Sequence, residues 1–401
     1  MPSLTCLVSP GRRLRALVAR TLLTILTIYL FLSSRSALAT TTIDLYSVGP
    51  GNYIFSKFGH SALCVTSDSF PKGRCYDFGV TDAQDAVSMV WGTMRSEPLF
   101  VTVAVDLDVL VTTFSEQERS IWKQTLPFDD AHASAFALEL ESALNNHARY
   151  AYDPAFDNCT TEIRDRLDLA WGGKLRAPGP PTSSAELSYR EIVESRFSGR
   201  ILELTVLAFA VGVPGDRHPD NYQAMFLPYD LRDAIEARLG VKAEEIHKRE
   251  RGIELRTSTA VGRVTLVLIG LFLSAIVWAG LRPNPKREQR AHRAVMVVGI
   301  TLGIVAVAVD LMAICVSIAW VRENWVLVLL WPTDLALGWL HGARRQNYLL
   351  VRLGALALFS LLSLTHVIAQ PLVAMALFAA LPLAVIYRAG RPVVAPKTAS
   401  T

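Results

Sequence analysis

Five apolar stretches in the last third of the chain constrain its fold more than any other feature. They run over about residues 261–281, 294–319, 324–341, 349–369 and 371–387. Inside a bilayer every backbone N–H and C=O must be satisfied within the protein. Apolar runs near ~20 residues are therefore expected to cross as helices. The connecting loops alternate in charge. The first carries Arg282, Lys286, Arg287, Arg290 and Arg293 against Glu288 alone. The next basic loop holds Arg344, Arg345 and Arg352, and the tail Arg388, Arg391 and Lys397. The loops between them hold only Arg322 with Glu323, and no charge around Gln370-Pro371. Basic loops stay in the cytoplasm, so everything before residue 261 is expected on the outer side. The third stretch is the weakest span, because Pro332 and Asp334 interrupt it. Asp310 and Asp334 are ionisable groups at membrane depth, where such groups are costly. A helix–helix polar pair or a position near a helix end weighs more for them than a contact to a lipid headgroup or acceptor.

The other end of the chain agrees with this topology. Arg12, Arg13, Arg15 and Arg20 precede the short apolar run Leu22 to Leu32, and Ala37-Leu38-Ala39 fits small-x-small cleavage. Residues 1–39 read as a signal peptide with Thr40 as the mature start, or else as an N-terminal anchor. The apolar run is short for a ~20-residue span, which favours cleavage. Composition fits a soluble domain joined to spans: 51% of residues are hydrophobic and 19% charged. The formal net charge is +4, with no Lys/Arg run interleaved with aromatics, so nucleic acid is not expected as a partner. The chain thus divides into residues 1–39, an exported domain over 40–255 and a transmembrane domain over 256–401. The exported domain is expected on the extracytoplasmic side of the membrane.

The exported domain mixes strand and helix patterns. Strands are expected over Ile43 to Val48, Gly59 to Thr66, Arg74 to Val80 and Phe100 to Thr112, where apolar residues alternate. Residues 67–73 carry turn chemistry. Helices are expected over Ser115 to Gln124, with Ser115 and Glu118 as a capping box, and over Asp130 to Asn145. Thr160 to Leu169 and Pro228 to Leu239 read as two more. Residues 172–185 read as a loop. Ile201 to Val213 is strongly apolar but short, and reads as a buried or bilayer-resting helix ended by Pro214.

Two polar positions in this domain carry the chemistry. His60 lies in Phe58-Gly59-His60-Ser61-Ala62-Leu63, and Cys159 in Phe156-Asp157-Asn158-Cys159-Thr160-Thr161. Only a thiolate attacks, and a neighbouring imidazole holds it deprotonated, so together the two form a nucleophile–base couple. Cys159 precedes a helix start, whose dipole and free N–H groups lower a thiol pKa and can stabilise an oxyanion. Three cysteines fall in the exported domain, an odd number. Cys64 pairing with Cys75 would leave Cys159 free, whereas three reduced thiols are the plainer alternative. If Cys64 stands opposite Cys75 in a hairpin, His60 falls opposite Gly79. Asp77 then becomes a diagonal neighbour of His60 on the same face, placed to hold the imidazole tautomer. Taken singly, each residue has a bland reading: a satisfied histidine, a packed thiol, a turn aspartate. His132, His147, His218 and His247 are scattered without ligand spacing. There is no P-loop, dinucleotide fingerprint or HExxH, so neither metal nor cofactor is expected.

These residues resemble a known family. Tyr46-Ser47 with Gly49-Pro50-Gly51, the His60 and Cys159 segments, and Tyr76-Asp77-Phe78-Gly79 are similar to the exported domain of Lnb-type lipoprotein N-acyltransferases. Ala224-Met225-Phe226-Leu227-Pro228 with Leu231-Arg232 is similar too. The resemblance covers about residues 42–240. It implies an α+β, circularly permuted papain-like cysteine domain related to lecithin retinol acyltransferase, followed by the bundle of about five spans. It implies His60 as base, Cys159 as nucleophile and Asp77 as orienting carboxylate, with Asn158, Tyr46 and Ser61 beside the substrate. The implied reaction moves an acyl chain from a membrane phospholipid through a Cys159 thioester to an amine, such as the N-terminus of a lipoprotein. Water as acceptor would make the protein a lipid hydrolase. An exported cell-wall peptidase or amidase would present a polar cleft instead. A non-catalytic membrane scaffold would leave His60 far from Cys159, or lock Cys159 in a disulfide.

Overall fold

A computed structural model of the chain describes residues 41–250 and 258–390, apart from 82, 84, 147, 148 and 284, together with Val18 and residues 21–24. The cleavage motif, Thr40 and the boundary at 255–256 lie outside the described residues.

Seven antiparallel strands form one sheet in the order β6-β4-β3-β2-β1-β5-β7. They are β1 Thr42–Val48, β2 His60–Ser67, β3 Phe70–Thr81, β4 Phe100–Asp106, β5 Ile121–Thr125, β6 Arg149–Tyr150 and β7 Glu244–His247. β2 and β3 form the hairpin the alternation predicts, and Cys64 pairs with Cys75 across it. That register puts the two sulfurs together as a disulfide, and Cys159 is left as a free thiol.

The faces of the sheet are covered unequally. Leu45, Leu63, Val65, Tyr76 and Phe78 form a large core with helices Asp130–Asn145 (α3), Cys159–Ala170 (α4) and Pro228–Leu239 (α7). On the opposite face Tyr46, Val48, Ala62, Cys64 and Cys75 pack against Leu110 of α2, Leu107–Glu116. The sequence reading fails around α2. The strand expected to run to Thr112 stops at Asp106, and the helix expected over Ser115 to Gln124 lies earlier; Ile121–Thr125 is instead a strand. Leu107, Leu110, Val111 and Phe114 recur at helical spacing and all reach the same apolar cluster, so packing on the sheet overrides their β-branched neighbours.

Among the described residues, three helices are long and apolar enough to cross a membrane: Val261–Gly280 (α8), Arg287–Cys315 (α9) and Gly342–Leu364 (α12). The apolar helix Val373–Ala389 (α13) is shorter and contains Pro382. The stretch 324–341 is not a continuous helix, which corrects the reading of five helical spans. It breaks into the single turn Val326–Leu329 (α11) and the 3-10 segment Pro332–Gly338, which lies along α9. Its break follows from sequence. Pro332 cannot continue a helix, and Asp334 turns inward to Arg352. Gly299 and Gly303 of α9 allow the approach, because Cβ atoms there would come within 2.7 Å of Asp334 O and 2.6 Å of Leu335 N.

The bundle and the sheet domain touch closely. Helix Ile201–Ala210 (α6) leaves Ile201, Leu202 and Val206 exposed and packs its Leu204 backbone on Gly262 of α8. The N–H groups of Gly212 and Val213 donate to the carbonyls of Trp320 and Glu323 at 2.6 and 2.7 Å.

Candidate active site

Cys159 is the first residue of α4, and local sequence fixes it there. The Asn158 side chain accepts hydrogen bonds from the N–H groups of Thr160 and Thr161, and the Thr161 hydroxyl accepts from Asn158 N–H, closing a capping box. Two of the free N–H groups of the helix start are thus used by the cap, leaving that of Cys159 itself outside it. Upstream, Asp153 accepts from the N–H groups of Ala155 and Phe156 and folds the loop that delivers Cys159.

His60 begins β2 and, alternating with Ala62 and Cys64, belongs to the α2 face of the sheet, whereas α4 packs on the other. Thiol and imidazole meet at the strand end over Gly79, where β3 bulges between Asp77 and Val80. A Cβ on Gly79 would stand 2.9 Å from His60 Cε1, 3.3 Å from His60 Nδ1 and 3.3 Å from Cys159 Cβ. His60 Nε2 lies 3.0 Å from Asp77 Oδ2. The carboxylate thus pairs directly with the imidazole. Asp77 Oδ1 accepts the Gly79 N–H at 2.7 Å, which ties the carboxylate to the bulge. The Phe114 ring stands 5.3 Å from the imidazole.

The electrostatics follow from these contacts. Burial alone would lower the His60 pKa, but the Asp77 carboxylate and the Cys159 sulfur outweigh it and push it up to about 10. Burial raises the Cys159 thiol, yet the His60 charge, their hydrogen bond and the Ser61 N–H to sulfur leave it below the ordinary value. For Asp77, burial acts upward, and His60, the Gly79 N–H and Arg119 together bring it below the usual carboxylate range. The three groups therefore favour a thiolate–imidazolium–carboxylate set.

The three residues proposed to act chemically are side by side; the three placed beside the substrate are not arranged that way. Tyr46 is buried in the α2-face core, and the charges acting on its hydroxyl are Asp44 and Glu244 rather than the site. Ser61 is fully buried, its hydroxyl 3.1 Å from Thr160 Oγ1, and it supports the thiol through its backbone. Asn158 spends its side chain on the cap and on the carbonyls of Pro154 and Phe226. Ser61 and Asn158 thus support the site from behind, and Tyr46 belongs to the core.

Sequence reasoning missed Phe114, Arg119, Tyr150 and Tyr152. Tyr150 donates to Phe78 O, Tyr152 stacks on Phe100 at 4.6 Å, and burial followed by the Cys159 charge raises both phenols. The close repeat Tyr150-Ala151-Tyr152, just before the Cys159 loop, was the available signal. Arg119 sits in Glu116-Gln117-Glu118-Arg119, which reads as an exposed charge run.

The Cys159 loop also meets the bundle. Phe156 stands 6.2 Å from Trp320 and 5.6 Å from Tyr189, and Tyr189 stands 5.1 Å from Trp320. Residues 32–193 match the family described as the Lnb N-terminal periplasmic domain. No curated protein and no solved structure shows significant similarity to the chain.

Proposed function

We propose, from the match of residues 32–193 to the Lnb N-terminal periplasmic domain family, that the chain is a membrane-bound cysteine acyltransferase. The domain is read as a permuted papain-like fold, on a multi-pass protein of the bacterial inner membrane. The observation that carries the proposal is His60 set between Asp77 and a free, acidified Cys159. The scaffold alternative requires the opposite arrangement, a distant or disulfide-locked Cys159. The aromatic contact from Phe156 to Trp320 favours a lipid substrate over a soluble peptide, because the nucleophile loop rests on the membrane part.

The donor is a membrane phospholipid. The Cys159 thiolate attacks its ester carbonyl carbon, an S–C bond forms, and the electron pair moves onto oxygen. The N–H of Cys159, at the helix start, is the donor we propose for that oxyanion. As the C–O bond breaks, imidazolium His60 gives its proton to the departing alcohol oxygen, leaving a lysolipid and a thioester. An amine then attacks the thioester carbonyl, and His60 takes its proton as the C–S bond breaks and thiolate returns. An exported lipoprotein N-terminus is the acceptor we propose. Asp77 holds the imidazole and offsets its charge throughout.

The test is mass spectrometry of the purified protein after incubation with phospholipid vesicles. A hydroxylamine-sensitive acyl adduct on Cys159, absent from Cys159→Ala and discharged by a diacylated lipopeptide, is expected. No adduct in excess phospholipid would sink the proposal and turn attention to peptide substrates.

A further inference from the structure

Arg119 takes no part in these steps, yet it is one of the most deeply buried charges of the sheet domain, 3% exposed at the turn between α2 and β5. Its Nε donates to Gly49 O at 2.7 Å. Its guanidinium lies 4.7 Å from the centroid of the Phe114 ring, the same ring that stands beside His60. Nη1 is 3.5 Å from the Gln117 amide oxygen, and Nη2 is buried without an acceptor among the described residues. None of these partners is a carboxylate. A buried cation is strongly unfavourable without an anion nearby, so the question is which anion Arg119 answers.

The site itself supplies it. One ring separates Arg119 from the site, because Phe114 lies against both its guanidinium and the His60 imidazole; the charges that act on Arg119 are those of Cys159, Tyr229, Arg249 and Asp77. Burial pushes its pKa down to about 10, which leaves it charged at neutral pH, and Cys159 is the foremost group acting the other way. Arg119 in turn helps to hold Asp77 low. The groups acting on Cys159 are His60, Asp77 and the Ser61 N–H, and Cys159 acts in turn on the phenols of Tyr150 and Tyr152. With both phenols neutral, thiolate, imidazolium and carboxylate together leave one negative charge in excess in a buried place.

We infer that Arg119 is the counter-charge of the site, a positioning residue that balances the Cys159–His60–Asp77 set and keeps Cys159 a thiolate. The inference rests on reading Cys159 as the nucleophile. It assigns Phe114 a part as well: its ring separates two like charges, Arg119 and His60, and lets each meet a π-face or edge instead of the other.

The experiment is the pH dependence of iodoacetamide alkylation at Cys159, read by mass spectrometry on the full chain in detergent with Cys6→Ser and Cys315→Ser in place. Arg119→Gln and Arg119→Met are expected to raise the alkylation midpoint by about one pH unit. Below both midpoints that is an about tenfold slower reaction. Arg119→Lys, which keeps the charge, is expected to restore most of the shift. Neutral variants that fold with the parent midpoint would overturn the inference. So would neutral variants that do not fold at all, since Arg119 would then be a structural residue. A parent midpoint near the ordinary ~8.5 of a free thiol is a separate failure: it removes the nucleophile reading itself.

Discussion

His60 Nε2 stands 3.0 Å from Asp77 Oδ2, while the Nδ1–Cε1 edge of the same ring faces the Gly79 gap beside Cys159. The relationship makes Asp77 an orienting group rather than a proton carrier, because its own acidity is held low. Asp77→Asn preserves an acceptor for the Gly79 N–H but removes the charge that pairs with imidazolium. The rate of acyl loading on Cys159 is expected to fall about 10²–10⁴-fold, with little change in melting temperature. Loading within a few-fold of the parent would show that the contact does not act in the chemistry.

The same shifts set a pH window. Cys159 is held low and His60 is raised to about 10, so the ion pair exists between those limits. Thioester formation is expected to be flat across neutral pH. It should fall as acid protonates the thiolate, and again as His60 loses its proton near 10. Stability follows a different course. His60 has its folded pKa above the unfolded ~6.5, so its contribution is complete below that value and is lost as pH rises toward 10. Asp77 is depressed, so its contribution is present above its unfolded ~3.9 and is lost on further acidification. A pH series of adduct formation alongside thermal melting separates the two. A single loading step near the ordinary thiol range would contradict the pair.

Gly79 has a role that a strand position seldom demands. Its missing side chain is the space in which imidazole and thiol meet. Gly79→Ala would bring a methyl to 2.9 Å from His60 Cε1 and 3.3 Å from Cys159 Cβ, so the ring must move. Misplacing a reacting group by about 1 Å costs on the order of 10²-fold. Acyl loading should drop by that order while the Cys64–Cys75 disulfide and the melting temperature stay near the parent. Unchanged loading would mean the ring has another resting place.

How much of this was legible depended on whether the deciding force was local. The β2–β3 register could be read because two cysteines and a turn fix it, and it placed Asp77 and Gly79 correctly relative to His60. Helices Asp130–Asn145 and Pro228–Leu239 carry their own starts, Asp129 as a side-chain cap and Pro228 at the first turn. α2 was misread because its β-branched residues look like a strand until the sheet offers them a face. Arg119 was invisible for the same reason: among glutamates it resembles a solvated charge, and only the fold brings it under the Gly49 loop. Tyr46 and Ser61 are both buried in the fold. Their place in the shared motifs suggests contact with substrate, and what the fold adds is their packing: Tyr46 in the α2-face core and the Ser61 hydroxyl beside Thr160.

The last relationship lies in the bundle. Asp334 and Arg352 are both fully buried and paired, Oδ2 to Nη2 at 3.1 Å and to Nε at 3.2 Å. The Tyr348 hydroxyl donates to Asp334 Oδ1 at 2.6 Å, and Trp331 lies under the guanidinium at 4.8 Å. This pair pins the 3-10 segment Pro332–Gly338 between α9 and α12. Removing one partner leaves an uncompensated buried charge, a loss of about 3–5 kcal/mol, whereas replacing both by apolar groups is often neutral. Arg352→Met alone should therefore lower the melting temperature in detergent sharply, and Asp334→Leu combined with Arg352→Met should recover most of it. If the two substitutions instead add their losses, the pair is not what holds the broken segment, and the glycine contacts on α9 must carry it.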